Sequence, residues 1–123
     1  MISVLISSES RYIVNRDKIR QAIRDLLTNT GLDEVEVSVS VVGGRKIRNL
    51  NRQWREIDKI TDVLSFPLEE ARNIDGILRL GDIVICYPKA REDAQKENIM
   101  MDEKLNELAI HGLKHLLGEH HEE

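Results

Sequence analysis

The sequence predicts an α+β fold, a single domain over residues 1–123 with a mixed sheet of about four strands and helices packed around it. Three observations support this prediction. The 123 residues, 41% hydrophobic and 33% charged, suffice for one buried core and are too few for two. Segments with strand and helix periodicity follow one another without strict alternation. No internal repeat or low-complexity tract interrupts them.

The first half of the chain predicts two strands and two helices. Residues 2–6 are typical of a short strand, and a helix follows that Asn15 caps and Gly31 ends. Residues 34–41 alternate valines with polar residues, as a strand with one buried face does. After a break at residues 43–44, a second helix is predicted. The apolar residues on one face of this helix are Ile47, Leu50 and Trp54, with basic residues around the other.

The second half predicts a loop over residues 55–61, a third strand over 62–66 and a fourth over 80–86. Pro88 suits the first turn of a further helix. A last helix begins at Asp102 and carries leucines at helical spacing as far as Gly118.

The formal net charge of −4 conceals a polarised chain. Residues 45–59 hold six basic side chains against two acidic ones, whereas residues 92–107 hold six acidic against two basic. Because net charge averages over a surface, the acidic total does not exclude a nucleic acid ligand. Two ordinary solvated helix faces explain the same pattern, and that alternative stays open here.

The composition also indicates a compartment. Cys86 is the single cysteine, so an internal disulfide is excluded and a reducing environment is expected. No stretch approaches the length of a membrane span, and the first residues lack the basic start of a signal peptide. We therefore expect a cytoplasmic protein without membrane partners.

All four histidines lie within the last 13 residues. His111 and His115 are four apart on the predicted last helix, so their rings share one face and are able to share a metal. Gly118 permits the chain to turn back, and His120 or His121 then supplies a third imidazole. The spacing favours His121, because it matches the ligand frame of the metzincins. The sequence thus predicts a zinc site at the end of the C-terminal helix.

Three protein ligands leave one zinc position for water, which is the pattern of a catalytic site. Neutral imidazoles leave the ion's charge intact, and that charge lowers the pKa of coordinated water towards about 7. Metalloproteases place a glutamate directly after the first histidine as general base, whereas this chain has Gly112 there. The pattern therefore predicts metal-assisted hydrolysis and argues against proteolysis, although nickel or copper also accepts three imidazoles.

At this point the chain resembles a known family, the YbeY-type bacterial endoribonucleases. Residues 111–121 match the family pattern H-G-x-x-H-L-x-G-x-x-H, residues 50–67 are similar to a second motif, and residues 81–85 to a third. The three motifs occur in the expected order, which makes the resemblance specific. Many members have Asp before the third histidine, where this chain has His120.

The resemblance implies that His111, His115 and His121 bind one zinc ion, and that Arg55 and His111 are catalytic. It also implies cleavage of single-stranded RNA, with a role in maturing the 3′ end of 16S ribosomal RNA and in ribosome quality control. The implied partners are ribosomal RNA, the small ribosomal subunit with its proteins, and an Era-type GTPase. The nucleophile stays open between water held by the metal and the RNA 2′-hydroxyl.

Two other functions stay open: a ribosome-assembly factor with a structural zinc, and a metallohydrolase of another substrate class. Taken without the resemblance, Arg55 is a surface arginine paired with Glu56 or Asp58. Trp54 is expected in the core, with base stacking as the alternative. Aromatic residues total 3%, so RNA recognition should depend on phosphates. Cys86 is expected to be a small buried hydrophobe, and Asp82 to lie in a turn or cap or beside a ligand histidine. Asp62 and Ser65 are expected to organise the backbone, with catalytic roles as the alternative.

Overall fold

The computed structural model describes residues 1–68 and 75–118. Four strands are present in these ranges: β1 (Ile2–Ser8), β2 (Val35–Val42), β3 (Val63–Pro67) and β4 (Leu78–Cys86). Four helices accompany them: α1 (Arg16–Asn29), α2 (Gly44–Arg55), α3 (Tyr87–Glu97) and α4 (Met101–Leu116). The predicted strand bounds hold to within two residues. No helix in the described ranges has the length and apolar character needed to cross a membrane.

The strands form one mixed sheet in the order β1-β2-β4-β3. β2 pairs in parallel with β1 and β4, whereas β3 is antiparallel to β4 at the sheet edge. Val63, at the start of β3, therefore lies opposite Ile85, near the end of β4. The predicted α+β fold with a mixed sheet of about four strands is confirmed.

The two faces of the sheet are covered differently. The alternating valines of β2 and the residues Ile83 and Ile85 of β4 point to one face, where α1 and α4 bury them. On the other face α2 packs Ile47 against a smaller apolar cluster. That cluster comprises Val42, Ile47, Leu64, Val84 and Cys86. As predicted, Cys86 is buried, and this burial raises the pKa of its thiol.

The local signals at helix ends are also confirmed. The side chain of Asn15 accepts a hydrogen bond from the backbone N–H of Lys18, which caps α1. Pro88 lies in the first turn of α3. Gly118, two residues after the end of α4, has a φ of 94°, the left-handed conformation that the sequence predicts there.

Helix α2 departs from the sequence prediction in two ways. Arg55 is the last residue of this helix, so it does not lie in the predicted loop. Trp54 is 64% exposed, so its predicted burial in the core is wrong. The cluster that covers Ile47 and contacts Leu50 does not include Trp54. The apolar side of α2 therefore extends one turn beyond the surface that could bury it.

The start of α2 is held by a distant carboxylate. Gly43 is the N-cap and has no side chain to satisfy the first backbone N–H groups. Glu9 supplies the acceptor, because its Oε2 takes a hydrogen bond of 2.9 Å from the Gly43 N–H. This bond lowers the pKa of Glu9 below its ordinary value. The loop after β1 thereby anchors the helix that carries Arg55.

The acidic segment at 92–107 surrounds a buried cation. Lys104, on α4, is buried and donates hydrogen bonds of 2.8 Å to Glu97 and 3.0 Å to Glu107. The bond to Glu97 raises the pKa of Lys104 above its ordinary value. Glu97 and Glu107 therefore have a structural role, because they pair with the buried Lys104. This agrees with the alternative that the charge pattern belongs to ordinary helix faces.

A β-bulge lets β3 approach β4. The register of β2 against β4 shifts between Glu36 and Val37, so Leu80 has no partner on β2 and Gly81 pairs with Val37. Gly81 has a φ of 137° and lies opposite Pro67. A Cβ atom at this position would overlap the carbonyl oxygen of Phe66. Glycine is therefore required on both conformational and steric grounds.

We expect Gly81→Ala to lower the free energy of unfolding by about 3 kcal/mol, the sum of a strained φ and a steric clash. The measurement is urea denaturation followed by circular dichroism. Gly31→Ala is the matched control, since Gly31 has a φ of 82° and open space around its Cα. It should cost about 1 kcal/mol. Equal losses of unfolding free energy in the two variants would show that the overlap with Phe66 adds nothing to the cost of the strained φ.

Candidate active site

Two histidines project from the last turns of α4. His111 and His115 are both exposed, one helical turn apart on the same side of the helix. Their Nε2 atoms are 3.2 Å apart, and the ring centroids are 4.7 Å apart. The two nitrogens therefore converge on one point outside the helix.

This geometry fits a shared zinc ion. Two imidazole nitrogens at about 2.0–2.1 Å from a tetrahedral zinc stand about 3.3 Å from each other, close to the observed 3.2 Å. Imidazole is also a donor that zinc prefers. A zinc ion shared by the two side chains would therefore require no rearrangement of the helix.

The third predicted ligand belongs to the last residues of the chain. His121 and its neighbour His120 lie outside the described residues, as does the chain from 119 onwards. Within residues 1–68 and 75–118, no group of three His, Cys, Asp or Glu side chains is close enough to hold a metal. His121 therefore remains a prediction.

Gly112, which follows His111 on α4, packs directly against β4 of the sheet. It is buried, and a Cβ atom there would lie 2.7 Å from Cγ2 of Ile83. α4 thus contacts β4 more closely than any larger residue would permit. The same contact leaves no room for the glutamate that metalloproteases carry at this position.

The histidines line a cleft together with Arg55. The cleft measures about 390 Å³ and lies between the end of α2, the start of β3 and the end of α4. Its lining comprises Arg55, Thr61, Asp62, Val63, Leu64, Ser65, His111, Gly112 and His115. Arg55 is separated from the histidines by more than fifty positions in sequence, so the fold brings the predicted catalytic residues into one site.

The loop after α2 folds back along the helix and leads the chain into the cleft. Asn51 is buried, and its side-chain N–H donates a hydrogen bond of 3.0 Å to the carbonyl oxygen of Lys59. Glu56 takes a left-handed conformation that reverses the chain after α2. The segment that follows, from Thr61 to Ser65, can then line the cleft.

Arg55 has no ion pair with any described residue. The expected partner Asp58 binds elsewhere, because its carboxylate accepts hydrogen bonds of 2.7 and 3.2 Å from Arg48. Arg48 also lowers the pKa of Asp58 through these bonds. The interpretation of Arg55 as an arginine paired with Glu56 or Asp58 is therefore wrong for the described residues. Its guanidinium is left available to a ligand in the cleft.

Comparison with known proteins identifies the family. The profile described as Endoribonuclease YbeY matches residues 5–123 of this chain. The chain belongs to the endoribonuclease YbeY family. This confirms the resemblance carried by the three sequence motifs.

Individual relatives agree with this assignment. The chain is 38% identical to the endoribonuclease YbeY of Persephonella marina over 109 residues, which cover 89% of this chain and 71% of that protein. It is 40% identical to that of Aquifex aeolicus over 119 residues, covering 97% and 77%. The solution structure of TM1509 from Thermotoga maritima matches with a TM-score of 0.62 and 30% identity, covering 94% of this chain and 72% of that one.

Three further polar residues of this YbeY-family chain, Asp62, Ser65 and Asp82, were singled out in the sequence. Asp82 lies within β4, exposed, and accepts a hydrogen bond from the Ser38 hydroxyl. It is therefore in neither a turn nor a cap. The main-chain carbonyl oxygen of Asp62 accepts a bond of 2.8 Å from the Cys86 N–H. Because this contact does not involve a side chain, the roles of the Asp62 and Ser65 side chains stay predictions. Asp62 and Ser65 also both line the cleft.

Sequence reasoning assigned no role to two residues of the site. Asn51 holds the loop after α2, and Thr61 lines the cleft. A signal existed for Asn51, because a polar residue on the apolar side of a predicted helix often makes a buried hydrogen bond. Thr61 offered none, since its position depends on where the loop folds.

Proposed function

We propose that this chain is a zinc-dependent endoribonuclease that cleaves single-stranded RNA in the cleft between α2 and α4. The observation that supports the proposal best is the convergence of Arg55 with His111 and His115 on one cleft. The family to which the chain belongs supports the RNA substrate independently.

Zinc would be held by His111 and His115, with His121 as the expected third ligand. Imidazole-bound zinc supplies a Lewis acid that polarises a phosphoryl oxygen and lowers the pKa of a coordinated water. The 3.2 Å separation of the two Nε2 atoms supports this use of the histidine pair. Because both rings are exposed and outside the apolar clusters, they can serve a ligand without disturbing the core.

Arg55 would hold the scissile phosphate. A guanidinium presents a planar fork of N–H donors that binds two phosphate oxygens at once. Arg55 has no carboxylate partner among the described residues, so no ion pair within residues 1–68 and 75–118 must break before a phosphate binds. The same donors stabilise the charge that develops on the phosphoryl oxygens during cleavage.

The surroundings of the cleft favour RNA over a peptide. Ile83 packs against Gly112 and excludes a carboxylate base at that position. The exposed ring of Trp54, adjacent to Arg55 in the chain, is available to stack on an unpaired base. Such stacking requires a single strand, since duplex bases are already stacked on one another.

The wider role follows from the family resemblance and remains a prediction. It comprises maturation of the 3′ end of 16S ribosomal RNA, ribosome quality control and association with the small ribosomal subunit and its proteins. An Era-type GTPase is the further predicted partner, and the cytoplasm is the predicted location.

The proposal is tested by cleavage of a fluorescently labelled single-stranded RNA by the purified chain. We expect cleavage to cease with a chelator and to return with one equivalent of zinc, while an RNA duplex of the same sequence stays intact. A substrate with one 2′-deoxy position at the cleavage site decides the nucleophile. Its cleavage indicates water, and its resistance indicates the 2′-hydroxyl.

Two outcomes would contradict the proposal. Cleavage that persists in the chelated protein would exclude a catalytic metal. Zinc bound in a protein that cleaves none of the RNAs, but binds small ribosomal subunits, would favour the assembly factor with a structural zinc.

A further inference from the structure

The four arginines of α2 lie along one side of the helix. They occupy positions 45, 48, 52 and 55, a spacing of three, four and three residues. With 3.6 residues per turn, this spacing keeps all four within a sector of about 80°. Arg45, Arg48, Arg52 and Arg55 thus form an arginine stripe.

The arginine stripe ends in the cleft. Arg55 lines the cleft, and Arg45 lies ten residues earlier at the opposite end of the helix. Ten residues of α-helix span about 15 Å. At about 3.4 Å per stacked nucleotide, this length corresponds to about four nucleotides of one strand.

The arginine stripe destabilises α2 when no counter-ion is present. α2 contains five basic residues and no acidic one. Like charges three or four residues apart repel each other, so each step of the stripe is unfavourable without a counter-ion. A run of phosphates along the helix would supply counter-ions at a comparable spacing.

One protein carboxylate already lies on the stripe. Asp58 binds Arg48 through two hydrogen bonds, at 2.7 and 3.2 Å, and lies 3.9 Å from Arg52. A carboxylate that accepts two parallel N–H bonds from one guanidinium has the geometry of a bound phosphate. The side chains of Asp58 and Arg48 are each 52% exposed, so water and ligands can reach the pair.

We infer that the arginine stripe binds the RNA backbone for about four nucleotides on one side of the cleavage site, and that Asp58 is an internal counter-ion displaced by an RNA phosphate. This inference rests on the proposed function, because it extends the substrate from the cleft along α2. Asp58 thereby lowers the affinity for RNA, because an RNA phosphate must displace it from Arg48.

The first test measures the salt dependence of RNA binding. The probe is a fluorescein-labelled 12-nucleotide single-stranded RNA, with anisotropy recorded on the chelated full chain so that no cleavage occurs. Each lost phosphate contact should reduce the slope of log K against log salt by about 0.7. Arg48→Ala/Arg52→Ala should therefore reduce it by about 1.4.

The matched control is Arg20→Ala/Arg24→Ala, which removes the same charge from α1. This helix packs on the opposite face of the sheet from α2. We expect the control to keep the wild-type slope. Equal slope changes in both double variants would overturn the inference, since only net charge would then matter.

The second test removes the proposed counter-ion. Asp58→Asn should raise the affinity for the same RNA by about two- to fivefold, the range for an exposed ion pair. Asp17→Asn is its control, because Asp17 pairs with Arg20 at 3.2 Å on α1. An equal gain in both variants, or no gain in Asp58→Asn, would contradict the role of Asp58.

These outcomes separate the inference from the proposed function. Normal RNA cleavage with unaltered slopes would overturn the stripe and leave the function standing. A slope that depends on the stripe in a protein that cleaves no RNA would overturn the function alone. If Asp58→Asn does not fold, as judged by circular dichroism, the double arginine variants still decide the matter.

Discussion

His111→Ala is expected to lose bound zinc and to cleave RNA on the order of 10³-fold more slowly than the wild type. The reason is geometric, because removal of one imidazole leaves His115 without the partner that stands 3.2 Å away. Metal content by mass spectrometry and cleavage of single-stranded RNA at saturating substrate measure the two effects.

The fold of this variant should persist. His111 is exposed and belongs to neither apolar cluster, so its truncation removes no core contact. Glu103→Ala, an exposed position on α4 two turns earlier, is the control and should retain zinc and activity. Collapse of the cooperative unfolding transition in His111→Ala would favour a structural role for the metal. Retention of full activity would contradict its role as a ligand.

Arg55→Ala is expected to bind zinc as the wild type does and to cleave RNA about 10²- to 10³-fold more slowly, the loss typical of removing one group that stabilises transition-state charge. Because Arg55 makes no ion pair with described residues, its loss leaves none of the described carboxylates unpaired. Single-turnover cleavage with saturating protein isolates this effect from RNA affinity.

Arg55→Lys gives the sharper comparison. Lysine keeps the charge and loses the planar fork, so bidentate phosphate binding predicts a rate much closer to alanine than to arginine. A rate near that of the wild type would show that charge alone suffices. A fully metallated Arg55→Ala variant that cleaves at the wild-type rate would exclude Arg55 from catalysis.

Much of the fold could be predicted because its signals are local. The alternation of valines in β2 and the cap at Asn15 depend on residues that are neighbours in the chain. The histidine pair was predictable for the same reason, since a separation of four residues on a helix determines which side chains meet. The family motifs then indicated Arg55 as their partner.

The errors occurred where a second element decides the outcome. Trp54 has the spacing of a core residue on α2, yet the sheet surface beneath the helix ends before it. Asp82 follows a glycine, which indicates a turn, but Gly81 serves a bulge and Asp82 lies within β4. The few residues around Trp54 and Asp82 indicate neither the extent of the sheet surface under α2 nor the bulge in β4.

The strands and helices, the histidine pair and the family could be predicted from the sequence alone, because periodicity and motif spacing act over short stretches of chain. The packed fold was needed to show that Arg55 meets the histidines in one cleft, that Gly112 contacts Ile83, and that Asp58 binds Arg48 instead of Arg55. These are contacts between separate elements or between a helix and the loop folded against it. Their formation depends on packing around the shared core and on the path of the loop after α2, which no local pattern records.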